Sequence, residues 1–224
     1  MVRRTKEEAL ETRNKLLDAA ECLFQSKGVS RTTLQDIATH AGATRGAVYW
    51  HFKDKSDLFN AMMERVTLPM EGYFTDTGGG GTPARQEVRA LERTRNVILK
   101  ALHQIAHDAQ TRRVLEVATQ KVEYIDEHLS IRLRHLAVRN GFLCRVEEGL
   151  HAAAAHERLK LPLCSKVAAQ GLHALIDGLI QNWLLDPQAF DLLAVARETM
   201  DVYFAGLGFG NGAKHPENEQ KKVP

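Results

Sequence analysis

Apolar positions recur at a helical period through most of the chain. The first such pattern runs from about Glu8 to Lys27, behind a polar, basic arm over residues 1–7. Leu10, Leu16, Leu17, Ala20, Leu23 and Phe24 fall on one face and Cys22 on the opposite, polar one. Gly28 follows as a natural helix stop. Thr32 and Thr33 stand where they can cap a short helix from Leu34 to His40, which Gly42 ends. Thr44 can cap a second short helix, Arg45 to about Trp50. Ser56 can cap a third, from Asp57 to about Tyr73, whose acidic first turn suits the helix dipole. Longer patterns follow over about Arg85–His107, from near Thr111, over about Val122–His156, over Lys166–Leu185 with Ser165 as a possible cap, and over Phe190 to about Leu207. Asp186-Pro187 separates the last two. The expectation is an all-α chain: a small three-helix bundle over 1–56, a larger helical domain over 57–207, and a disordered tail over 208–224, rich in Gly, Asn, Lys and Glu.

Composition narrows the function classes. With 44% hydrophobic residues the chain can bury a sizeable core, and 16 Gly and 6 Pro are few breakers for 224 residues. Lys+Arg 30 against Asp+Glu 28 leaves a formal charge of +2, which excludes a polycation that coats nucleic acid or membranes. Any nucleic-acid contact must use locally placed groups. The three cysteines, Cys22, Cys144 and Cys164, form no CxxC pair, so a disulfide framework or structural zinc site is not expected and a reducing cytoplasm is the simplest compartment. No apolar h-region follows the basic start, and no apolar run reaches the roughly 18 residues of a membrane span. The glycine run at 78–81 lacks a GxxxxGK[ST] context and reads as a flexible connector. GxSxG, HExxH and dinucleotide fingerprints are absent, so neither an enzyme nor a cofactor is expected. His103 and His107 have a metal-compatible i, i+4 spacing, but no third ligand is evident, and His151 and His156 are no better placed.

Residues 33–52 carry the most information. Ala38 is small enough for two helices to cross closely, Gly42 supplies the positive φ of a tight turn, and Val48 returns an apolar contact to Leu34, Ile37 and Ala38. This spacing suits a helix-turn-helix, although any helical hairpin also satisfies it. The surface chemistry then separates the two. With Val48 and Phe52 inward, Arg45, Gly46, Tyr49 and Trp50 face out. Arg45 in the first turn can meet guanine O6 and N7 as a bidentate donor, and Gly46 and Ala47 let the helix sit deep in a major groove. Tyr49, His51 and Lys55 can donate to phosphates, as can the helix N-termini opening at Thr33 and Ser56 and the arm residues Arg3, Arg4 and Lys6.

The run from Thr32 to Ala38, Ala41-Gly42, Thr44 to Phe52 and Lys55 resembles the DNA-binding domain of the TetR family of bacterial repressors. The start Val2-Arg-Arg-Thr-Lys-Glu-Glu-Ala resembles the branch that controls multidrug efflux pumps, which includes the acriflavine-resistance and toluene-efflux repressors. So do Asp108-Ala109 with Thr111-Arg112-Arg113, and Asp177 to Ile180 with Trp183-Leu184-Leu185. The strong match covers about residues 1–70; Ala43, where a larger aliphatic is commoner, and the glycine run depart from it. The resemblance implies that Thr33 caps the second helix and touches phosphate. It implies that Thr44, Arg45 and Gly46 meet bases or nearby backbone, and that Tyr49, His51 and Lys55 grip phosphates, with Trp50 partly structural.

One short recognition helix buries little DNA, and helix-turn-helix proteins usually bind as two-fold dimers on half-sites about 34–36 Å apart. Residues 166–207 suit pairing: Leu172, Leu175, Ile176, Leu179, Ile180 and Trp183 span more than one helix face, Gly171 and Gly178 share a side, and Leu193, Ala196, Met200, Tyr203 and Leu207 form the next stripe. An ordinary intramolecular core would show the same stripes; the resemblance implies a four-helix dimer interface. Asp177, inside an apolar run, either faces a cavity or makes a structural hydrogen bond. The resemblance implies a cavity lined by Val97, Ile98, Leu115, Thr119, Phe142, Val146, His173, Ile176, Asp177 and Gln181, with Arg139 and Phe142 bulkier than expected there. The expected partners are thus double-stranded operator DNA, a second copy, and a lipophilic effector, aromatic or cationic. A helical small-molecule carrier without specific DNA binding is the alternative.

Overall fold

The computed structural model describes residues 6–75, 90–123 and 129–210, with the side chains of 68–71 and 73–75 left aside. Among these residues there are helices and no strands: α1 (Lys6–Lys27), α2 (Leu34–His40), α3 (Arg45–His51), α4 (Lys55–Thr75), α5 (Ala90–His107), α6 (Ala109–Gln120), α7 (Leu129–His156), α8 (Ser165–Leu185) and α9 (Leu192–Gly206). The fold is all-α, as the apolar period requires. The glycine run at 78–81, Arg3, Arg4 and residues 211–224 of the expected tail lie outside the described residues.

Local chemistry fixes the ends of the first elements. Thr33 and Asp36 form a reciprocal capping box: the Asp36 N–H donates to Thr33 Oγ1 at 3.1 Å, and the Thr33 N–H donates to Asp36 Oδ2 at 3.0 Å. Gly42 closes the turn at φ +64°, in the left-handed region that a side chain disfavours. The Ala47 N–H donates to Thr44 Oγ1 at 3.2 Å and so caps α3. Elsewhere the expected caps are displaced. The Asp57 N–H donates to Asp54 Oδ1, so Asp54 rather than Ser56 opens α4, and Ser56 is buried inside the helix. Cys164 holds the N-cap position of α8 without a side-chain bond, and Ser165 instead donates to Glu147. Asp108 and Asp191 cap α6 and α9. The helical pattern expected from Val122 is interrupted at 121–123, and the described part of α7 begins at Leu129.

Two apolar cores result. The first joins Leu16, Leu17, Ala20, Phe24, Ile37, Ala38, Val48, Phe52, Leu58 and Met62, and also takes in Val114, Val117 and Ala118 of α6 and Ile131 of α7. The buried apolar stripe of α1 begins at Leu16; Leu10, expected on the same face, is 57% exposed. The second core unites α5, α7, α8 and α9, and Phe209 just beyond α9 is buried in it, so the expected tail is folded at least to this point. Helix α4 packs on α1 on one side and on α5, α6 and α7 on the other, which makes it the shared wall of both cores. At the junction, Glu21 of α1 is 1% exposed. It accepts hydrogen bonds from Arg65 Nη1 of α4 and Gln110 Nε2 of α6, each at 2.9 Å. Among the described residues no helix is long and apolar enough to cross a membrane.

Candidate nucleic-acid interface and effector cavity

The outer face of α3 is built by its inner one. Val48 is fully buried against α1 and α2, and Phe52 is nearly so. This rotation turns Arg45, Gly46, Tyr49 and Trp50 outward, together with Thr44; Trp50 is 72% exposed. Burying an indole of that size elsewhere would be favourable by ~2–3 kcal/mol, so its exposure marks a surface for contact. Arg45 Nη2 donates to Tyr49 Oη at 3.3 Å and its guanidinium lies 5.5 Å from the Tyr49 ring centroid. That hydrogen bond pushes the Arg45 pKa further upward, and the guanidinium is held against Tyr49 one turn along the helix. A Cβ built at Gly46 finds only Thr44 Oγ1, at 3.9 Å, so the surface there is low.

Other expected DNA residues have internal work. The Thr33 hydroxyl donates to Asp36 Oδ2 at 2.7 Å within the capping box. These bonds hold the Asp36 carboxyl below its usual pKa, which keeps a negative charge beside the opening of α2. Lys55 Nζ donates to the carbonyl of Val29 at 2.9 Å and of Ser30 at 3.3 Å, clamping the turn after α1. His51 is half-buried, with its ring edge-on to Trp50 at 4.5 Å. The start of α4, expected to offer free N–H groups, is occupied by Asp54 and by Asp57, which accepts from the Lys53 N–H at 2.9 Å.

Between the cores lies a cavity of about 230 Å³, walled by α4, α5, α6, α7 and α8. Of the residues expected there, Ile98, Leu115, Thr119, Phe142, His173, Ile176 and Asp177 line it. Val97 and Val146 do not: both are buried, but Val97 sits one helical step round from Ile98, and Val146 belongs to the second core. Gln181 is exposed rather than lining; its Nε2 donates to Asp177 Oδ2 at 2.7 Å. Asp177 is only half-buried, and its hydrogen bond runs along its own helix rather than to a neighbour. Burial holds the His173 pKa below the usual range; the Asp177 carboxylate opposes this, and Arg139 and His135 add to it. The Phe142 ring stands edge-on to His173 at 5.5 Å.

Several lining residues were not anticipated: Phe59, Asn60, Met63 and Thr67 of α4, and Ile131, Arg134, Val138 and Arg145 of α7. Phe59, Met63 and Thr67 lie four apart, and Ile131, Arg134, Val138, Phe142 and Arg145 three or four apart, so one helical face of each supplies them. Helical spacing alone was the available signal. The Asn60 side-chain oxygen is buried without a partner. The faces of α8 and α9 expected to pair expose Val167, Leu185 and Val202. Gly171 faces inward: a Cβ there would lie 2.5 Å from Tyr203 Oη, so its close approach is to α9 of the same chain, while Gly178 is open. Cys22 is exposed, as expected from its place on the polar face, and Arg113 Nη1 lies 3.8 Å from its sulfur. Among the described residues no third ligand joins His103 and His107, whose rings stack at 4.0 Å.

Known proteins resemble the chain in both of these regions. The profile of bacterial regulatory proteins of the tetR family matches residues 16–62. That of the MAATS-type transcriptional repressor C-terminal region matches residues 89–209. The HTH-type transcriptional regulator TtgR of Pseudomonas putida is 40% identical over 205 residues, covering 90% of this chain and 94% of the relative. Among solved structures, NalD, the secondary repressor of the MexAB-OprM multidrug efflux pump in Pseudomonas aeruginosa, superposes with a TM-score of 0.78 at 36% identity over 90% of this chain and 98% of that one. The complex of SmeT with triclosan gives a TM-score of 0.76 at 29% identity over 96% and 99%; SmeT is the repressor of a Stenotrophomonas maltophilia multidrug efflux pump. With an exposed recognition helix, a cavity behind it and this likeness across both halves, the chain belongs to the TetR family and is a ligand-responsive, DNA-binding transcriptional regulator rather than an enzyme.

Proposed function

We propose that two copies of this chain, paired through about residues 166–207 in the cytoplasm, repress a multidrug efflux pump operon by occupying a palindromic operator, and that a lipophilic small molecule in the cavity releases them. Residues 1–56 hold the DNA-binding part and 57–207 the sensing and pairing part. Thr44, Arg45 and Gly46 read the major groove, with Trp50 packing on it, and Tyr49, His51, Lys55 and Thr33 face or position phosphates. The observation that carries the reading is the double use of α4. Phe59 and Met63 belong to the core beneath the recognition helix and also line the cavity. A ligand that needs a different α4 position therefore disfavours the DNA-binding arrangement by its differential affinity for the two states. The efflux assignment draws on the likeness to NalD and TtgR.

The test is Arg45→Ala in an operator-binding titration. A bidentate guanine contact contributes about 1–3 kcal/mol of discrimination, so the variant should bind about ten-fold or more weakly and lose base preference at one position per half-site. Unchanged affinity and selectivity would remove Arg45 from the base-reading role.

A further inference from the structure

Three arginines of α7, Arg134, Arg139 and Arg145, stand in the cavity wall against one carboxylate, Asp177, and neither lysine nor glutamate lines it among the described residues. The three are not equivalent. Arg134 Nη2 donates to Thr67 Oγ1 of α4 at 3.4 Å. The Arg145 guanidinium folds back over Gly141, where a Cβ would lie 3.4 Å from its Nη1. Among the described residues Arg139 meets a neutral group: its Nε and Nη2 donate to Asn140 Oδ1 at 3.3 and 3.0 Å. Its charge is near enough to His173 to disfavour protonation there. The opposing carboxylate, Asp177, is already engaged by Gln181. A half-buried guanidinium in the same wall as Phe142 and Ile176, with no carboxylate partner among the described residues, is an arrangement that an anion entering the cavity improves and a cation worsens.

We propose that this cavity takes an amphipathic organic anion, an aromatic or alkyl body ending in a carboxylate, phenolate or sulfonate, with Arg139 as its charge-recognising group. The inference rests on the effector-sensing reading above and narrows it, setting aside the cationic one of the two effector classes, aromatic or cationic, expected from the sequence. The apolar body lies against Ile98, Phe142 and Ile176, and the planar guanidinium fork meets the anionic head, with geometry that lysine would not reproduce. A lipophilic cation of the same shape is rejected by the like charge.

Two fluorescent probes that share a ring skeleton separate charge recognition from general greasiness: anilinonaphthalenesulfonate, an anion, and the neutral N-phenylnaphthylamine. Each is titrated into the full-length wild-type chain and into Arg139→Gln and Asp177→Asn. Loss of a charge-assisted hydrogen bond should weaken the sulfonate about ten-fold in Arg139→Gln while the neutral probe moves less than about two-fold. Asp177→Asn, which removes the opposing charge, should tighten the sulfonate about two-fold and leave the neutral probe unchanged. If Arg139→Gln shifts both probes equally in a chain of native circular dichroism, or shifts neither, charge recognition is refuted and the sensing reading stands. If that variant fails to fold, Asp177→Asn decides, and an unchanged ratio of the two affinities refutes the proposal. If neither probe saturates the wild type, or if Ile176→Trp leaves both bound, the cavity is not the binding site and the sensing reading falls as well.

Discussion

Gly171 and Tyr203 offer a packing test whose outcome differs between two backgrounds. A Cβ at Gly171 would stand 2.5 Å from Tyr203 Oη and 3.3 Å from its Cζ. The hydroxyl is held in place, because it donates to the carbonyl of Ala168 at 2.7 Å. Gly171→Ala therefore forces the ring tip aside. Overpacking of this kind costs about 1–3 kcal/mol and the displaced hydrogen bond about 1 kcal/mol, against a gain of about 1 kcal/mol from replacing glycine inside a helix. The net expectation is a loss of about 1–3 kcal/mol. Tyr203→Phe alone should cost about 1 kcal/mol for the hydrogen bond. Once the hydroxyl is gone the new methyl group has only a small adjustment to make, so adding Gly171→Ala to Tyr203→Phe should cost about nothing. Urea unfolding followed by circular dichroism measures all four chains. Protein concentration must be equal throughout, since pairing contributes to apparent stability. Equal costs of Gly171→Ala in both backgrounds, or a Gly171→Ala chain as stable as the wild type, would refute the close approach of α8 and α9.

Glu21 and Thr44 provide two further expectations. Burial raises the Glu21 pKa, and the bonds from Gln110 and Arg65 offset only part of that. Its contribution to stability is thus fully present below its unfolded pKa and is lost as pH rises through the folded one. Glu21→Gln does not titrate, so the stability difference between variant and wild type should move in the variant's favour from about pH 4 toward neutrality; a pH-independent difference would contradict this. Thr44→Ala removes the acceptor for the Ala47 N–H and should destabilise α3 by about 1 kcal/mol, with weaker operator binding, whereas Thr44→Ser should retain most of both. Equal operator affinity for the Ala and Ser variants would show that the cap does not order the recognition helix.

The helix-turn-helix was legible because its determinants are local. Gly42 demanded a turn, Thr33 and Thr44 are separated from their helices by nothing, and Val48 returns to Ile37 and Ala38 at a fixed spacing. Misplaced caps at Ser56 and Ser165 had a different cause: a neighbouring residue, Asp54 or Cys164, took the cap position, and sequence offers both. The cavity was only partly legible. Val97 and Ile98 are adjacent apolar residues, and which of them faces the cavity depends on the rotation of α5 set by distant partners. Arg139 was legible as a bulky group at the cavity, whereas Arg134 and Arg145 of α7 were not, for a physical reason. A charged side chain on an apolar stripe is normally read as solvated, and its enclosure depends on α4 and α8 closing over it. Lys55 read as a phosphate donor for the same reason, since its carbonyl partners lie 25 and 26 residues away.

Footprinting of the DNA upstream of the chain's own coding region, at fixed salt and with increasing amounts of a cavity ligand, tests the central claim most directly. The account predicts one protected, two-fold symmetric site whose half-sites lie about one helical turn or a multiple of it apart. It also predicts that protection is lost as the ligand saturates the cavity, and that Ile176→Trp uncouples the two. Protection without symmetry, or a symmetric footprint that persists at full cavity occupancy, would contradict it.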